Sequence, residues 1–157
     1  MNTSSKPEVF MRIAWELSAL STCDRKHVGA IIVCDGRCIS WGYNGAPPGL
    51  PHCNEVLHGW PHPPRSRTEA DIMREEMNRL GCKNATHAEA NALAFAARQG
   101  ISTDGGTLYV TVSPCDVCAR LIIAAGIVSV VYDEEYRDPA GRELLDKAGV
   151  QVKQIGI

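Results

Sequence analysis
The last third of the chain alternates short β-branched runs with helical stretches that end on glycine. This alternation limits the fold more than any other feature of the sequence. Thr107 to Val112 has a strand pattern, and Ser113-Pro114 breaks it. Cys115 to Ala125 reads as a helix ended by Gly126, and Ile127 to Tyr132 as a strand. Asp138-Pro139 opens a helix that Gly149 ends, and Val150 to Ile155 forms a final strand. Such an order calls for parallel strands joined by right-handed crossovers, with helices layered on a sheet.

The upstream half supplies the rest of the sheet. Pro7 suits the first turn of a helix, and Val9, Phe10, Ile13, Leu17 and Leu20 recur at helical spacing. Val28 to Val33 and Arg37 to Tyr43 flank Asp35-Gly36, a tight-turn pair, so these two strands form an antiparallel hairpin. From Asn44 to about Arg67 the chain carries six prolines and three histidines, a long loop of the kind that is usually functional. Thr68 and Asp71 resemble a capping box for a helix with a stripe of Ile72, Met73, Met77 and Leu80, stopped by Gly81. Ala88 to Arg98 is an alanine-rich helix ended by Gly100. The predicted order is α-β-β-α-α-β-α-β-α-β. It makes an α/β chain with a five-stranded mixed sheet, and residues 1–157 form one domain with no repeat or linker.

Composition then removes whole classes of function. Sixteen Lys and Arg against eighteen Asp and Glu leave a formal charge of −2, with no basic surface for a nucleic-acid polymer or an anionic membrane. Lys6, Glu8, Arg12 and Glu16 interrupt any secretory apolar core. The longest apolar run, Leu121 to Tyr132, is too short for the ~20 residues a bilayer requires. A cytoplasmic location is expected. Seven cysteines in 157 residues are too many to ignore, and the chain is too long to need disulfide staples. Reactivity, metal or packing must account for them.

Two short motifs carry the chemistry. His87-Ala88-Glu89 starts one helix, and Pro114-Cys115-Asp116-Val117-Cys118 stands at the next strand-to-helix turn. Cys115 and Cys118 lie one helical turn apart, so both sulfurs reach one metal. One imidazole and two thiolates suit Zn²⁺ and leave its fourth position open for water, as in a catalytic site. The helix N-terminus favours the thiolates. Glu89 sits two residues from the metal-ligating His87, placed to move a proton between zinc-bound water and substrate. This pair of motifs, H-x-E then P-C-x-x-C, is the known signature of zinc nucleobase deaminases. Taken alone, Cys115 and Cys118 would read equally well as a redox pair. A structural zinc completed by Cys82 or Cys53 is the other plain reading.

From about Ser21 to Tyr136 the chain resembles the deoxycytidylate (dCMP) deaminases of the cytidine-deaminase superfamily. The resemblance runs through Ser21-Thr22-Cys23-Asp24-Arg25, Val28-Gly29-Ala30, Gly42-Tyr43-Asn44-Gly45-Ala46-Pro47-Pro48-Gly49 and His52-Cys53. It continues through His87-Ala88-Glu89, Asn91-Ala92, Phe95 to Arg98, Pro114-Cys115-x-x-Cys118, Val131-Tyr132 and Tyr136. The Gly42 to Gly49 stretch is similar to bacterial and phage members in particular. The resemblance implies a three-layer α/β/α cytidine-deaminase fold. It implies a zinc-dependent hydrolase that turns dCMP into dUMP and ammonia, supplying dUMP for thymidylate synthesis. Water activated at the zinc would attack C4 of cytosine, with Glu89 as the catalytic acid and base at N3 and at the departing amine. The Cys115 N–H would help stabilise developing charge.

The resemblance also implies substrate contacts from Ala88 N–H and the Ser113 carbonyl to the base, and from Asn44 to base or sugar. Arg25, with Lys26 nearby, is the candidate for the 5′-phosphate, and a solvated surface charge is its equal rival. Tyr132 and Tyr136 would close the pocket, although Tyr132 also suits a core position. Members of this kind are commonly homohexamers activated by dCTP with Mg²⁺ and inhibited by dTTP. Gly42, Tyr43, Asn44, Gly45, Phe95 and Arg98 match the positions tied to that allosteric control.

Some phage relatives carry a second, structural zinc. Here Cys23 and Cys53 fall at its cysteine positions, while Met77 and Ala85 replace a histidine and an acidic residue. Cys23, Cys53, His58 and Cys82 make a chemically reasonable closed set. His52 and His62 are rival ligands, and free buried thiols are the plain alternative. Cys34 and Cys38 are expected to pack as small apolar residues. Two other functions compete with dCMP deamination. One is deamination of another base or nucleotide, such as dCTP, a 5-modified dCMP or tRNA adenosine. The other is a non-catalytic zinc-binding or DNA-uptake accessory role.

Overall fold
Ser5 starts the first helix by a reciprocal cap: its backbone N–H donates to Glu8 Oε2 at 2.9 Å, and Glu8 N–H donates back to Ser5 Oγ at 3.5 Å. The computed structural model describes residues 4–23, 25–52, 65–80 and 84–157. The helices are α1 (Lys6–Ser18), α2 (Arg67–Leu80), α3 (Ala88–Arg98), α4 (Asp116–Ala124) and α5 (Ala140–Lys147). The strands are β1 (Gly29–Cys34), β2 (Arg37–Tyr43), β3 (Thr107–Val112), β4 (Ser129–Glu134) and β5 (Gln151–Gln154). This is the order read from the sequence.

The strands form one mixed sheet in the order β2-β1-β3-β4-β5. β1 pairs antiparallel with both β2 and β3, and β3, β4 and β5 run parallel. Asp35 and Gly36 both take positive φ, 51° and 71°, as a hairpin turn matched to strand twist requires. Alternation sorts the side chains. Ile31, Val33, Tyr109 and Val131 meet Met11 and Ala14 of α1 on one face. Ala30, Ile32, Leu108, Val110 and Val130 meet α3, α4 and α5 on the other. At roughly 25 cal/mol per Å² of apolar surface removed from water, these two cores dominate the gain on folding. Among the described residues, no helix is long and apolar enough to cross a membrane.

Several boundaries differ from the expected ones, for physical reasons. β4 starts at Ser129 rather than Ile127, because the N–H of Ile127 closes α4 on the Ile122 carbonyl at 3.3 Å. The strand then runs on to Glu134. β5 starts after Val150 for the same reason, its N–H being bound to the Leu145 carbonyl at 3.0 Å. The cap of α2 is Ser66 with Glu69, not Thr68 with Asp71. Glu69 N–H donates to Ser66 Oγ at 3.1 Å, and Glu69 Oε2 accepts from Arg65 N–H at 2.6 Å. Most of the long proline-rich loop, and Gly81, lie outside the described residues. Cys34 is half-buried against the core as expected. Cys38 is exposed instead, because it lies on the edge strand β2, with its thiol 3.5 Å from the Ser40 carbonyl oxygen.

Candidate metal centre and active site
Each ligand-bearing residue stands where a helix begins. His87 is the N-cap of α3, and the segment before it is fixed by a two-way backbone pairing of Thr86 with Gly45, at 2.8 and 3.1 Å. Cys115 is the N-cap of α4, so the helix begins one residue later than its sequence pattern implied. Its carbonyl accepts from Ala119 N–H at 2.9 Å, and Cys118 follows within the first turn. The two N-caps face each other at the same end of the sheet.

His87 Nδ1 lies 3.5 Å from Cys115 Sγ and 3.4 Å from Cys118 Sγ, and one donor atom from each of the three fits within 4.8 Å. A tetrahedral zinc with Zn–N near ~2.05 Å and Zn–S near ~2.3 Å sets an N···S separation of about 3.6 Å. The donor set and its spacing therefore fit zinc. Cys115 and Cys118 are buried, and His87 is exposed. Hydrogen bonds from the Cys118 thiol and from His87 lower the Cys115 thiol to about 4, so the trio favours a thiolate there. Cys118, as the donor in that pair, is pushed up. His87 is pushed up by its bond to Cys115. Glu89 is only 4% exposed, and burial raises its carboxyl above the usual range. Burial that favours the protonated form is the environment in which carboxyl groups serve as acid–base groups.

Ala88 is the buried first residue of α3. Ser113 is buried between β3 and the Cys115 turn; its N–H donates to the Glu134 carbonyl and its Oγ accepts from Tyr136 N–H, both at 2.8 Å. Tyr136 packs against the core nearby, and buried Tyr132 accepts a hydrogen bond from Arg142 Nη1 at 3.2 Å. Asn44 is a strut. Its Oδ1 accepts from Val28 N–H and its Nδ2 donates to the Lys26 carbonyl, both at 2.8 Å. Lys26 Nζ pairs with Glu134 Oε2 at 2.6 Å, and Arg25 is exposed beside it.

Of the candidate allosteric positions, Gly42 is where β2 touches α3: a Cβ there would lie 2.5 Å from Ala88 O and 2.6 Å from Ala92 N. The Tyr43 carbonyl accepts from Asn91 Nδ2 at 2.7 Å, and its ring stacks on Trp41 with centroids 6.2 Å apart. Trp41 lies 6.2 Å from the exposed Phe95 ring, and Arg98 is exposed in the last turn of α3. Gly45 holds Thr86 as described.

Among the described residues, His87, Cys115 and Cys118 are the group that fits a metal ion. Of the candidate second set, Cys23 is buried, while Cys53, His58 and Cys82, with the rival His62, lie outside the described residues. The other rival, His52, has Nδ1 3.3 Å from Thr22 Oγ1.

Sequence reasoning missed Glu134, Glu135 and Arg142 beside the site. Arg142 Nη1 donates to Glu135 Oε1 at 2.8 Å as well as to Tyr132. The only sequence signal for them was the Asp133-Glu134-Glu135 run at the end of a strand, which periodicity placed two residues too early. The contact that brings α5 here is equally silent: a Cβ on Gly141 would lie 2.7 Å from Cys115 C, 2.8 Å from its O, and closer still to the Pro114 carbonyl oxygen.

Comparison with known proteins agrees with this arrangement. Residues 4–134 match the family model described as the cytidine and deoxycytidylate deaminase zinc-binding region. The deoxycytidylate deaminase of Enterobacteria phage T4 is 36% identical over 173 aligned positions, covering 96% of this chain and 90% of the relative. The ComE operon protein 2 of Bacillus subtilis is 38% identical, covering 99% of this chain and 74% of its own length. The crystal structure of dCMP deaminase from the cyanophage S-TIM5 in complex with dCMP and dUMP superposes with a TM-score of 0.77 at 33% identity, covering 99% of this chain and 100% of that one.

Proposed function
The chain belongs to the cytidine and deoxycytidylate deaminase family, and from that premise we propose that it hydrolyses dCMP to dUMP and ammonia. One observation carries the reading: an imidazole and two thiols converge at zinc-ligand spacing beside a buried carboxyl with a raised pKa. Zinc held by His87, Cys115 and Cys118 supplies a Lewis acid that makes water a nucleophile at neutral pH. Glu89 takes one proton from the attacking water and passes it to N3 of cytosine, then takes the second from the resulting C4 hydroxyl and passes it to the amine, which leaves C4 as ammonia. Ala88 N–H and the Ser113 carbonyl bind the base edge, and Tyr132 and Tyr136 enclose it. Arg25 and Lys26 take the 5′-phosphate, and Asn44 holds their segment in position.

Regulation belongs to the same reading. Activation by dCTP with Mg²⁺ and inhibition by dTTP in a cytoplasmic homohexamer draw support from the seam between β2 and α3. Gly42 and Tyr43 meet α3 there, and Trp41 and Phe95 are exposed at the sheet edge.

The deciding experiment is ammonia release from dCMP, CMP, dCTP, deoxycytidine and 5-modified dCMP, with and without dCTP and dTTP. The parent protein should prefer dCMP. Glu89→Ala should lose turnover by ~10²–10⁴-fold or more while keeping its zinc. No release from any cytosine nucleotide, or an undiminished rate in Glu89→Ala, would overturn the proposal.

A further inference from the structure
Three consecutive carboxylates close β4 beside the site: Asp133, Glu134 and Glu135. An anionic nucleotide is repelled by such a run unless the charges nearest it are neutralised. Each has its own partner, a cation for Glu134 and Glu135 and a neutral indole N–H for Asp133. Asp133 Oδ2 accepts from Trp15 Nε1 at 2.8 Å, Glu134 pairs with Lys26 at 2.6 Å, and Glu135 pairs with Arg142 at 2.8 Å. Two of these ties hold structural groups: a part-buried tryptophan, and the arginine that also binds Tyr132. The third occupies a cation that the proposed function assigns to substrate.

The Lys26–Glu134 pair also spans the two backbone segments that carry the ligands. Lys26 is tied through Asn44 and Gly45 to Thr86, next to His87. Glu134 is tied through Ser113 to the Cys115 turn. Both side chains are about half exposed, 50% and 48%, so water can replace either partner at low cost.

We infer that Glu134 tempers nucleotide affinity: its carboxylate holds Lys26 in place between the two segments when no substrate is bound and gives it up to the 5′-phosphate of a nucleotide. A phosphate monoester carries nearly two negative charges at neutral pH against one on the carboxylate, so it wins the exchange. A nucleoside has nothing to offer Lys26 and leaves the pair closed. This inference rests on the reading of Lys26 as a phosphate ligand. No bond is made or broken in the exchange.

The test is calorimetric binding of dUMP and deoxyuridine to the zinc-loaded full chain at low ionic strength, for the parent, Glu134→Gln and Lys26→Met/Glu134→Gln. Glu134→Gln removes the competitor without changing side-chain size. The ratio of dUMP to deoxyuridine affinity should rise about two- to five-fold in Glu134→Gln, the range for an exposed ion pair. That gain should vanish in the double variant, and should shrink at high salt. An unchanged or lowered ratio in Glu134→Gln, a gain that survives the loss of Lys26, or a parent without preference for dUMP overturns the inference. Because the readout is binding, failure of the deamination reading shows separately, as absence of ammonia from dCMP.

Discussion

Gly141→Ala should destabilise the protein, although glycine-to-alanine in a helix ordinarily does the reverse. At a free helical position the exchange gains about 1 kcal/mol. Here the new methyl would lie 2.7 Å from Cys115 C and 2.8 Å from Cys115 O, and nearer still to Pro114 O. All three are backbone atoms of a turn held between β3 and α4, so no side chain can swing aside. Restoring ordinary contact requires α5 to retreat by about 1 Å, since carbon atoms pack best at ~3.5–4 Å. Overpacking of this kind costs about 1–3 kcal/mol, and a rigid backbone neighbour argues for the upper end. Set against the propensity gain, the net loss is about 2 kcal/mol, or a Tm lower by roughly 4–8 °C for a chain of this size. Calorimetry or thermal circular dichroism on the zinc-loaded protein measures it. Gly156→Ala is the control: nothing lies within 4 Å of its Cβ, and its Tm should hardly move. A Gly141→Ala protein as stable as the parent, or more so, would refute the argument that α5 is seated directly on the Cys115 turn.

Three further outcomes follow from the site. Asn44→Ala should cost about 1–3 kcal/mol in denaturant unfolding, because it strips the partners of a part-buried Val28 N–H and the Lys26 carbonyl; a change in KM without loss of stability would deny the strut. Chelation should remove the metal and leave Cys115 more reactive to alkylation at neutral pH than Cys34 or Cys38, whose thiols are raised by burial, as mass spectrometry of labelled peptides would show. Trp15→Phe should cost roughly 1–3 kcal/mol by leaving part-buried Asp133 without its indole donor, read as a lower denaturation midpoint.

Much of this molecule was legible in its residues. Helix order, strand order and the Asp35-Gly36 turn rest on local periodicity and turn chemistry, and these act over a few residues. The His87, Cys115, Cys118 and Glu89 group was legible because metal chemistry restricts both residue type and spacing. What escaped was decided by contacts remote in sequence or by competition for one hydrogen bond. The start of β4 moved because Ile127 N–H serves the end of α4 before it can serve the sheet. That two-residue shift carries Glu134 to Lys26, a pairing across more than a hundred residues that no local pattern encodes. Nothing in the local sequence accounts for a glycine at position 141, and only the approach of α5 to Cys115 explains its lack of a side chain.

The split origin of the ligands has a consequence for how the chain holds together. α3, which His87 begins, is fastened to the hairpin: Ser40 Oγ donates to the Ala92 carbonyl at 2.6 Å and Asn91 to the Tyr43 carbonyl at 2.7 Å. α4, which Cys115 begins, is packed among the parallel strands with α5. The β1–β3 ladder joins these halves across a sequence gap of some seventy residues, the longest-range pairing in the sheet. An ion on His87, Cys115 and Cys118 is therefore a removable cross-link between the same two halves, closing a loop of 28 residues from His87 to Cys115. Its binding energy goes into the assembly of two halves that local order alone would leave apart.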